Sequence, residues 1–289
     1  MSGNPVQDRM TFGVPDVDSI LSEGLLCADM HFHTNYSDSY TRIDEALKLA
    51  KKRKVGFAIT DHNLIGGSLK AFETKDRDQF MVPGIEISAW DGPHILVYFY
   101  TLDEMVEYWE RNTKPYISHS PWLGIDKGTE WILDSLEDVN CVVSAAHPLG
   151  YLFSIKGAQK AADHGIIDDS VVRRMDAYEV ICSGMTRREN IGAGRCADEY
   201  GIGYTAGSDG HMLSELGSVL TVSDATDLDG FLDSILKHTN TVVGKEKNVG
   251  KKIAMGMTSV SRFATACLPS SVMRKLELIR YHGTNNRPE

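Results

Sequence analysis

Along the chain, short runs of apolar and β-branched residues alternate with stretches whose apolar positions recur every three to four residues. The short runs cover residues 26–32, 55–60, 80–87, 94–100, 141–146, 176–181 and 203–208. Each is bounded by Gly, Asp, Asn or Pro, and each reads as a strand. The clearest helix is TRIDEALKLAKKRK, where Ile43, Ala46, Leu47 and Ala50 make one apolar stripe. Thr41 with Asp44 supplies a capping start, and basic residues crowd the last turn, where the helix dipole favours them. A second helix, RRENIGAGRCADEYG, closes on Gly201 as its C-cap. Strands alternating with helices predict a mostly parallel sheet, and seven such units suggest a barrel, with a doubly wound open sheet as the competitor. After Lys245 the alternation stops, and an amphipathic or irregular appendage is expected.

The strand ends are unusually polar. The first ends in His31-x-His33, the second in Asp61-His62 and the third in Glu86, while the fourth opens at His94. The fifth runs into His147-Pro148 and the seventh into Asp209-x-His211. Residues two apart on a strand share a face, so His31 pairs with His33 and Asp209 with His211. Six of the ten histidines fall at or beside strand ends. In a barrel of parallel strands, groups at the C-terminal ends converge. His31, His33, Asp38, His62, Glu86, His94, His147, Asp209 and His211 would then meet at one rim. A lone histidine reads as a hydrogen-bonded core residue, and an acid–base dyad needs only two groups. Nine such donors, with no cysteine among them, suit two or three divalent ions of Mn, Zn or Fe. Clustered ions of that kind serve hydrolysis, phosphate esters above all, because charge there spreads over several oxygens.

Composition narrows the classes. With 289 residues, 42% hydrophobic and 24% charged, the chain reads as an ordinary globular protein of one large or two small domains. Five scattered cysteines with no C-x-x-C pair suit free thiols in a reducing compartment, and the N-terminus MSGNPVQDRM has no apolar leader. No apolar window is long enough for a membrane span. A cytoplasmic protein without membrane contact is expected. The net charge of −10 argues against stable nucleic-acid binding. The charge is uneven, however: from Lys245 onward nine Lys/Arg stand against three Asp/Glu. Solvated charge or a subunit contact is the plain reading of that basic tail. Nothing in the sequence sets an oligomeric state.

The motif string DMHFHTNYSD…AITDHN…GIEIS…HILVYFY…AAHP…AGSDGH resembles the polymerase-and-histidinol-phosphatase (PHP) family of metal-dependent phosphoesterases, in its small stand-alone form. The resemblance covers residues 26–223, and SELGSV after the last motif fits it too. It implies a distorted (β/α)7 TIM-like barrel over residues 26–244, with a 1–25 extension packed on it and a basic appendage at 245–289. It also implies a division of ligands. One ion takes His31, His33, Glu86 and Asp209; a second takes His94 and His147 and shares Glu86; a third takes Asp38, His62 and His211. The implied reaction is attack on phosphorus by a hydroxide bridging two ions, with Asp209 and His211 as the catalytic groups that manage protons. Ser39 departs from the glycine that many relatives carry after the aspartate, which should alter the loop more than the ligation.

The substrate expected on this reading is a small phosphorylated metabolite or nucleotide, as a monoester or a cyclic diester. Arg187 and Arg188, near the end of the sixth strand, are placed to grip its phosphate, with a solvated helix face as the plain alternative; Lys127 and His119 are weaker candidates. Only 52 residues separate His94 from His147, too few for a large cap domain. The aromatic-rich loop 112–128 could stack on a base or sugar, or simply pack. A 3′–5′ exonuclease-like phosphodiesterase and a metal-dependent amide hydrolase are the enzyme alternatives. A non-catalytic metal-binding module would show missing ligands, and every expected position is filled. Nothing in the sequence selects histidinol phosphate.

Overall fold

A computed structural model describes residues 9–117, 120, 123–150, 155–262 and 264–265. Its strands, in chain order, are β1 (Met10–Phe12), β2 (Leu26–Phe32), β3 (Gly56–Ile59), β4 (Met81–Val82), β5 (Gly84–Ser88) and β6 (His94–Phe99). They continue with β7 (Cys141–Ala145), β8 (Ala177–Cys182), β9 (Gly203–Gly207), β10 (Val219–Ser223) and β11 (Thr241–Gly244). The helices are α1 (Val17–Ser22), α2 (Ile43–Arg53), α3 (Gly66–Thr74), α4 (Leu102–Asn112) and α5 (Thr129–Asp134). After them come α6 (Ala158–Asp163), α7 (Asp169–Val172), α8 (Arg187–Tyr200), α9 (Leu228–Leu236) and α10 (Val249–Arg262).

Every stretch expected as a strand contains one. The run 80–87 divides at Pro83, which has no N–H to give to a ladder. Its two halves, β4 and β5, belong to different sheets. One sheet has the order β1-β11-β10-β2-β3-β4 and the other β5-β6-β7-β8-β9. The pairs β2–β3, β3–β4, β7–β8 and β8–β9 are parallel, as the alternating pattern predicts. By contrast β5–β6, β6–β7, β2–β10 and β10–β11 are antiparallel. The link from β5 to β6 is too short for a parallel crossover, so it can only reverse the chain. Between the sheets run two single-residue pairings, Phe32 with Gly210 and His62 with Glu86. The result is a mixed α/β fold of two sheets, and the described ladders do not close into the expected (β/α)7 barrel. Both of those narrow seams fall at residues of the histidine-rich motifs.

The helices cover the sheets with the faces their sequences dictate. Ile43, Ala46, Leu47 and Ala50 of α2 are all buried, and its last turn carries Lys51, Lys52 and Arg53. The helix starts one residue later than the Thr41 cap predicts: Arg42 is the N-cap, and its amide donates to Glu45 at 3.4 Å. The α8 helix opens on Thr186, whose hydroxyl accepts from the Glu189 amide, and ends on Gly201 at φ 66°. That left-handed cap is where glycine costs least. Three strands carried too little pattern to foresee. β1 and β11 are only three and four residues long, and they pair with each other in parallel. β10 pairs antiparallel with β2 soon after the last motif, with only the short 3-10 turn Leu213–Glu215 between to announce it. Among the described residues no helix is long and apolar enough to cross a membrane.

Candidate metal centre

The nine residues singled out by the sequence lie around one cavity. His31 is on β2 and His33 just beyond it, both buried. His62 and Glu86 face each other across one seam. His94 is the first residue of β6, and because β6 runs antiparallel to β5 and β7, its start lies at the same rim as their ligand-bearing ends. His147 and Asp209 lie just past β7 and β9 with positive φ, 31° and 44°. Non-glycine residues hold such angles only where their surroundings impose them, most often at functional sites.

Glu86 is the hub. Its Oε1 lies 2.9 Å from His94 Nδ1, 3.3 Å from His147 Nε2 and 3.5 Å from His31 Nε2. Its Oε2 lies 2.9 Å from His62 Nδ1 and 3.4 Å from His33 Nε2. Asp209 Oδ1 is 3.3 Å from His33 Nε2 and 3.5 Å from His31 Nε2. Asp38 Oδ2 is 2.9 Å from His211 Nε2 and 3.7 Å from His62 Nε2. Three sets bring one donor atom each within 4.8 Å of one another: His31, His33 and Glu86; His62, Glu86 and His94; and His33, Asp38, His62 and His211. His33 thus borders two sets, and so does His62, where the expected division gave each a single ion.

These residues fit divalent cations. His31 Nε2 and His33 Nε2 point at each other across 3.1 Å, with two carboxylates beside them. Lone pairs so opposed need a proton or a cation between them. Glu86 Oε2 is buried without a hydrogen-bond partner of good geometry, which a cation would satisfy. The donor set of imidazole and carboxylate suits Zn²⁺, Mn²⁺ or Fe²⁺.

A second set of polar groups holds the first in place. Glu179, on β8, sets its Oε1 3.0 Å from His31 Nδ1 and accepts the His147 amide on Oε2 at 2.7 Å. That leaves the Nε2 atom of His31 facing the cavity. Asp61 accepts from the Thr34 amide and from the hydroxyls of Thr34 and Ser37, fixing the loop that carries Asp38. Ser39 donates to the His211 carbonyl at 2.8 Å, so the departure from glycine ties this loop to the last motif.

The electrostatics follow from burial among opposite charges. Burial works against ionisation of Glu86, Asp38 and Asp209, yet the surrounding imidazoles hold all three well below the usual carboxylate range. Burial drives His33 down to about 4 and His94 to about 3, which leaves neutral rings able to ligate. His211 goes the other way. Burial opposes its charge, but Asp38 and Asp209 more than offset this and raise it to about 9. In the metal-free protein the charged His211 therefore contributes stability that is complete below its ordinary 6.5 and is lost as pH rises through about 9. A cation needs the neutral ring, so metal affinity should climb over the same window. Titrating metal-free protein with Mn²⁺ at pH 6.5 and pH 9 checks this; equal affinities would count against His211 as a ligand.

The cavity has a volume of about 220 Å³, and Lys156, Met255 and Ser259 line it beside seven of the nine donors. None of these three carried a sequence signal. Met255 and Ser259 come from α10, and the Ser259 hydroxyl donates to Asp38 Oδ2 at 2.8 Å. The arginines expected to grip phosphate are elsewhere. Arg187 stacks 3.9 Å over the Phe12 ring and pairs with Glu246, and neither Arg187 nor Arg188 lines the cavity. At the start of α8 the guanidinium is engaged by the Glu246 carboxylate. In the 112–128 loop, Ile117 and Ile125 are buried and Lys127 lies over the rings of Tyr116 and Trp131. The described part of the loop therefore packs; His119 lies outside the described residues. The four described cysteines are free. Burial raises the thiols of Cys27 and Cys141 to about 11 and about 12, so neither is a nucleophile at neutral pH.

Residues 187–240 match the model of a PHP-associated domain. A putative metal-dependent phosphoesterase from Bifidobacterium adolescentis superposes with a TM-score of 0.53 at 17% identity, over 78% of this chain and 98% of that one. The chain shares the fold of that phosphoesterase. A lesion-specific endonuclease from Pyrococcus furiosus shares that fold with a TM-score of 0.58 at 14% identity, over 75% of this chain and 57% of that one. So does an endonuclease Q solved on a 27-mer duplex with an abasic lesion at its active site, with a TM-score of 0.57 at 12% identity, over 80% and 67% of the two chains. No curated protein sequence matches the chain.

The endonuclease Q complex corrects one expectation. A small phosphorylated substrate with no stable nucleic-acid binding does not stand, because a protein of the same fold takes a DNA duplex at its active site. Whole-chain charge does not exclude such contact, because contact with a phosphate backbone depends on local charge. The basic segment that begins at Lys245 runs into α10, and α10 borders the cavity.

Proposed function

We propose that the chain is a metal-dependent phosphoesterase that cleaves phosphodiester bonds of nucleic acid. The observation that carries this is the convergence of nine imidazole and carboxylate groups on one cavity with a lysine at its wall. His31, His33, Glu86 and Asp209 would hold one ion, His94 and His147 with Glu86 a second, and Asp38, His62 and His211 a third. Bound ions would supply Lewis acidity toward the phosphoryl oxygens and lower the pKa of water. The chain's own groups do the rest. Asp209, held ionised among imidazoles and 3.6 Å from His211 Nδ1, accepts the proton of the attacking water and returns it to the leaving oxygen. Lys156 meets a non-bridging phosphate oxygen at the cavity wall.

A cavity of about 220 Å³ takes a phosphate with part of its sugar. A polymer would therefore present one nucleotide at a time, splayed from its stack. The barrel-like convergence of the strand ends is part of this reading: two sheets meeting at two seams bring donors from β2, β5, β6, β7 and β9 to one rim.

The test is hydrolysis of linear and circular DNA, with and without an abasic site, beside simple phosphodiesters and amides, with Mn²⁺ and Zn²⁺ supplied separately. Metal-dependent cleavage of diesters is expected. Circular substrate separates internal cleavage from trimming at ends, and turnover of amides alone would move the assignment to amide hydrolysis. His31→Ala and His62→Ala should each lose metal and at least about a hundredfold in rate, since removing even an outer partner of a metal ligand costs about 10–100-fold. Wild-type metal loading and rate in both variants would sink the proposal.

A further inference from the structure

The basic segment after Lys245 reads as solvated charge, yet one of its lysines is buried behind the last ligand motif. The Lys247 ammonium donates to the Asp209 backbone carbonyl at 2.8 Å and to the Met255 thioether at 3.1 Å. It lies 3.2 Å from Glu215 Oε1, and the two side chains are 3% and 2% exposed. The other oxygen of Glu215 accepts the amides of His211, at 3.0 Å, and Met212, at 3.2 Å. One ion pair thus grips both ends of the Asp209–His211 turn, the ammonium at the carbonyl of the first residue and the carboxylate at the amide of the last. Asp209 holds φ 44° there, an angle a non-glycine residue keeps only under external constraint. Burying two charges without return in contacts is unfavourable, and the return here is the shape of the turn that aims two donors at the cavity.

We propose that Lys247 is a positioning residue for the metal centre: with Glu215 it clamps the Asp209–His211 turn in the geometry that binds a divalent cation. The inference rests on the metal-centre reading above and extends it to a part of the chain outside the resemblance. Ser183 adds a fixed point, since its carbonyl accepts the Lys247 amide at 2.8 Å. The basic segment is therefore tied to the site through its backbone as well.

The full-length double variant Lys247→Met with Glu215→Gln isolates the clamp. It leaves no unpaired buried charge, and the glutamine oxygen still accepts the His211 and Met212 amides. Mn²⁺ affinity should fall about 10–100-fold, the range for loss of an outer partner of a ligand, while the Tm of the metal-free protein stays near wild type. Hydrogen exchange at the Gly210 and His211 amides should speed up in the metal-free protein, a readout that a merely structural lysine would not couple to metal affinity. Lys247→Leu with Glu215→Gln is the second variant, should methionine at this place prevent folding. Wild-type affinity and exchange in whichever variant folds overturn the proposal. If the wild-type protein itself binds no metal, the metal-centre reading falls instead, and the exchange measurement still decides whether Lys247 clamps the turn.

Discussion

Replacing Glu86 with glutamine should cost more than a hundredfold in turnover and strip at least one cation from the centre, while the metal-free protein still folds. Glu86 is fully buried, and five imidazoles stand within 3.5 Å of its two oxygens. Burial alone would favour the neutral acid, but the imidazoles around it, His62 foremost, keep it ionised. It is the carboxylate of two of the three ligand sets. Glutamine keeps the shape and one good acceptor, and its amide can donate to a neutral imidazole, so the metal-free core loses no packing. What it lacks is the negative charge that two cations share. Loss of an outer partner of a ligand costs about 10–100-fold, and loss of the shared charge should exceed that. Metal analysis and kinetics read the first effect, and the Tm of metal-free protein reads the second. A Glu86→Gln protein with full metal and full rate would remove Glu86 from the centre.

What the sequence made legible follows from how each signal is encoded. The strand at residues 26–32 agrees to the residue with the apolar run that follows Gly24 and ends at the polar His33-Thr34. The nine donors could be named because histidine and aspartate at strand ends break the hydrophobic pattern of a core. The pairing of strands was not legible: the direction of β6 depends on a short reversal at residues 89–93, and β1 and β11 are too short to mark a period. Glu179 sits in DAYEVIC and Lys247 in KEKNVGKK; neither neighbourhood distinguishes a buried partner of a ligand from an ordinary charge. Arg187 shows the opposite error. Its place near the end of β8 suited phosphate, but Phe12 and Glu246, distant in sequence, engage its guanidinium. Partners that come from far along the chain decide such cases, and no local pattern carries them.

Gly207→Ala should lower stability by about 1–3 kcal/mol or more, the range for overpacking a close-packed core, and weaken metal binding with it. Gly207 ends β9, where the chain passes His31 on β2. A Cβ there would stand 2.4 Å from His31 Cβ, 2.5 Å from its backbone N and 2.9 Å from its Cα. Main-chain atoms of a strand cannot swing aside as the tip of a side chain can, so β2 and β9 must separate. That separation opens the seam at Phe32 and Gly210 and moves His31 from Asp209, now 3.5 Å apart. The φ of Gly207 is not in the left-handed region, so space rather than backbone conformation requires glycine here. Gly13 is the control: a Cβ there meets nothing within 4 Å, and Gly13→Ala should be neutral or slightly stabilising through the unfolded chain. Thermal melts of both metal-free proteins, followed by Mn²⁺ titration, separate the two sites. If Gly207→Ala melts and binds as Gly13→Ala does, the contact of β9 with His31 does not set the ligand geometry, and the centre is held by its polar partners alone.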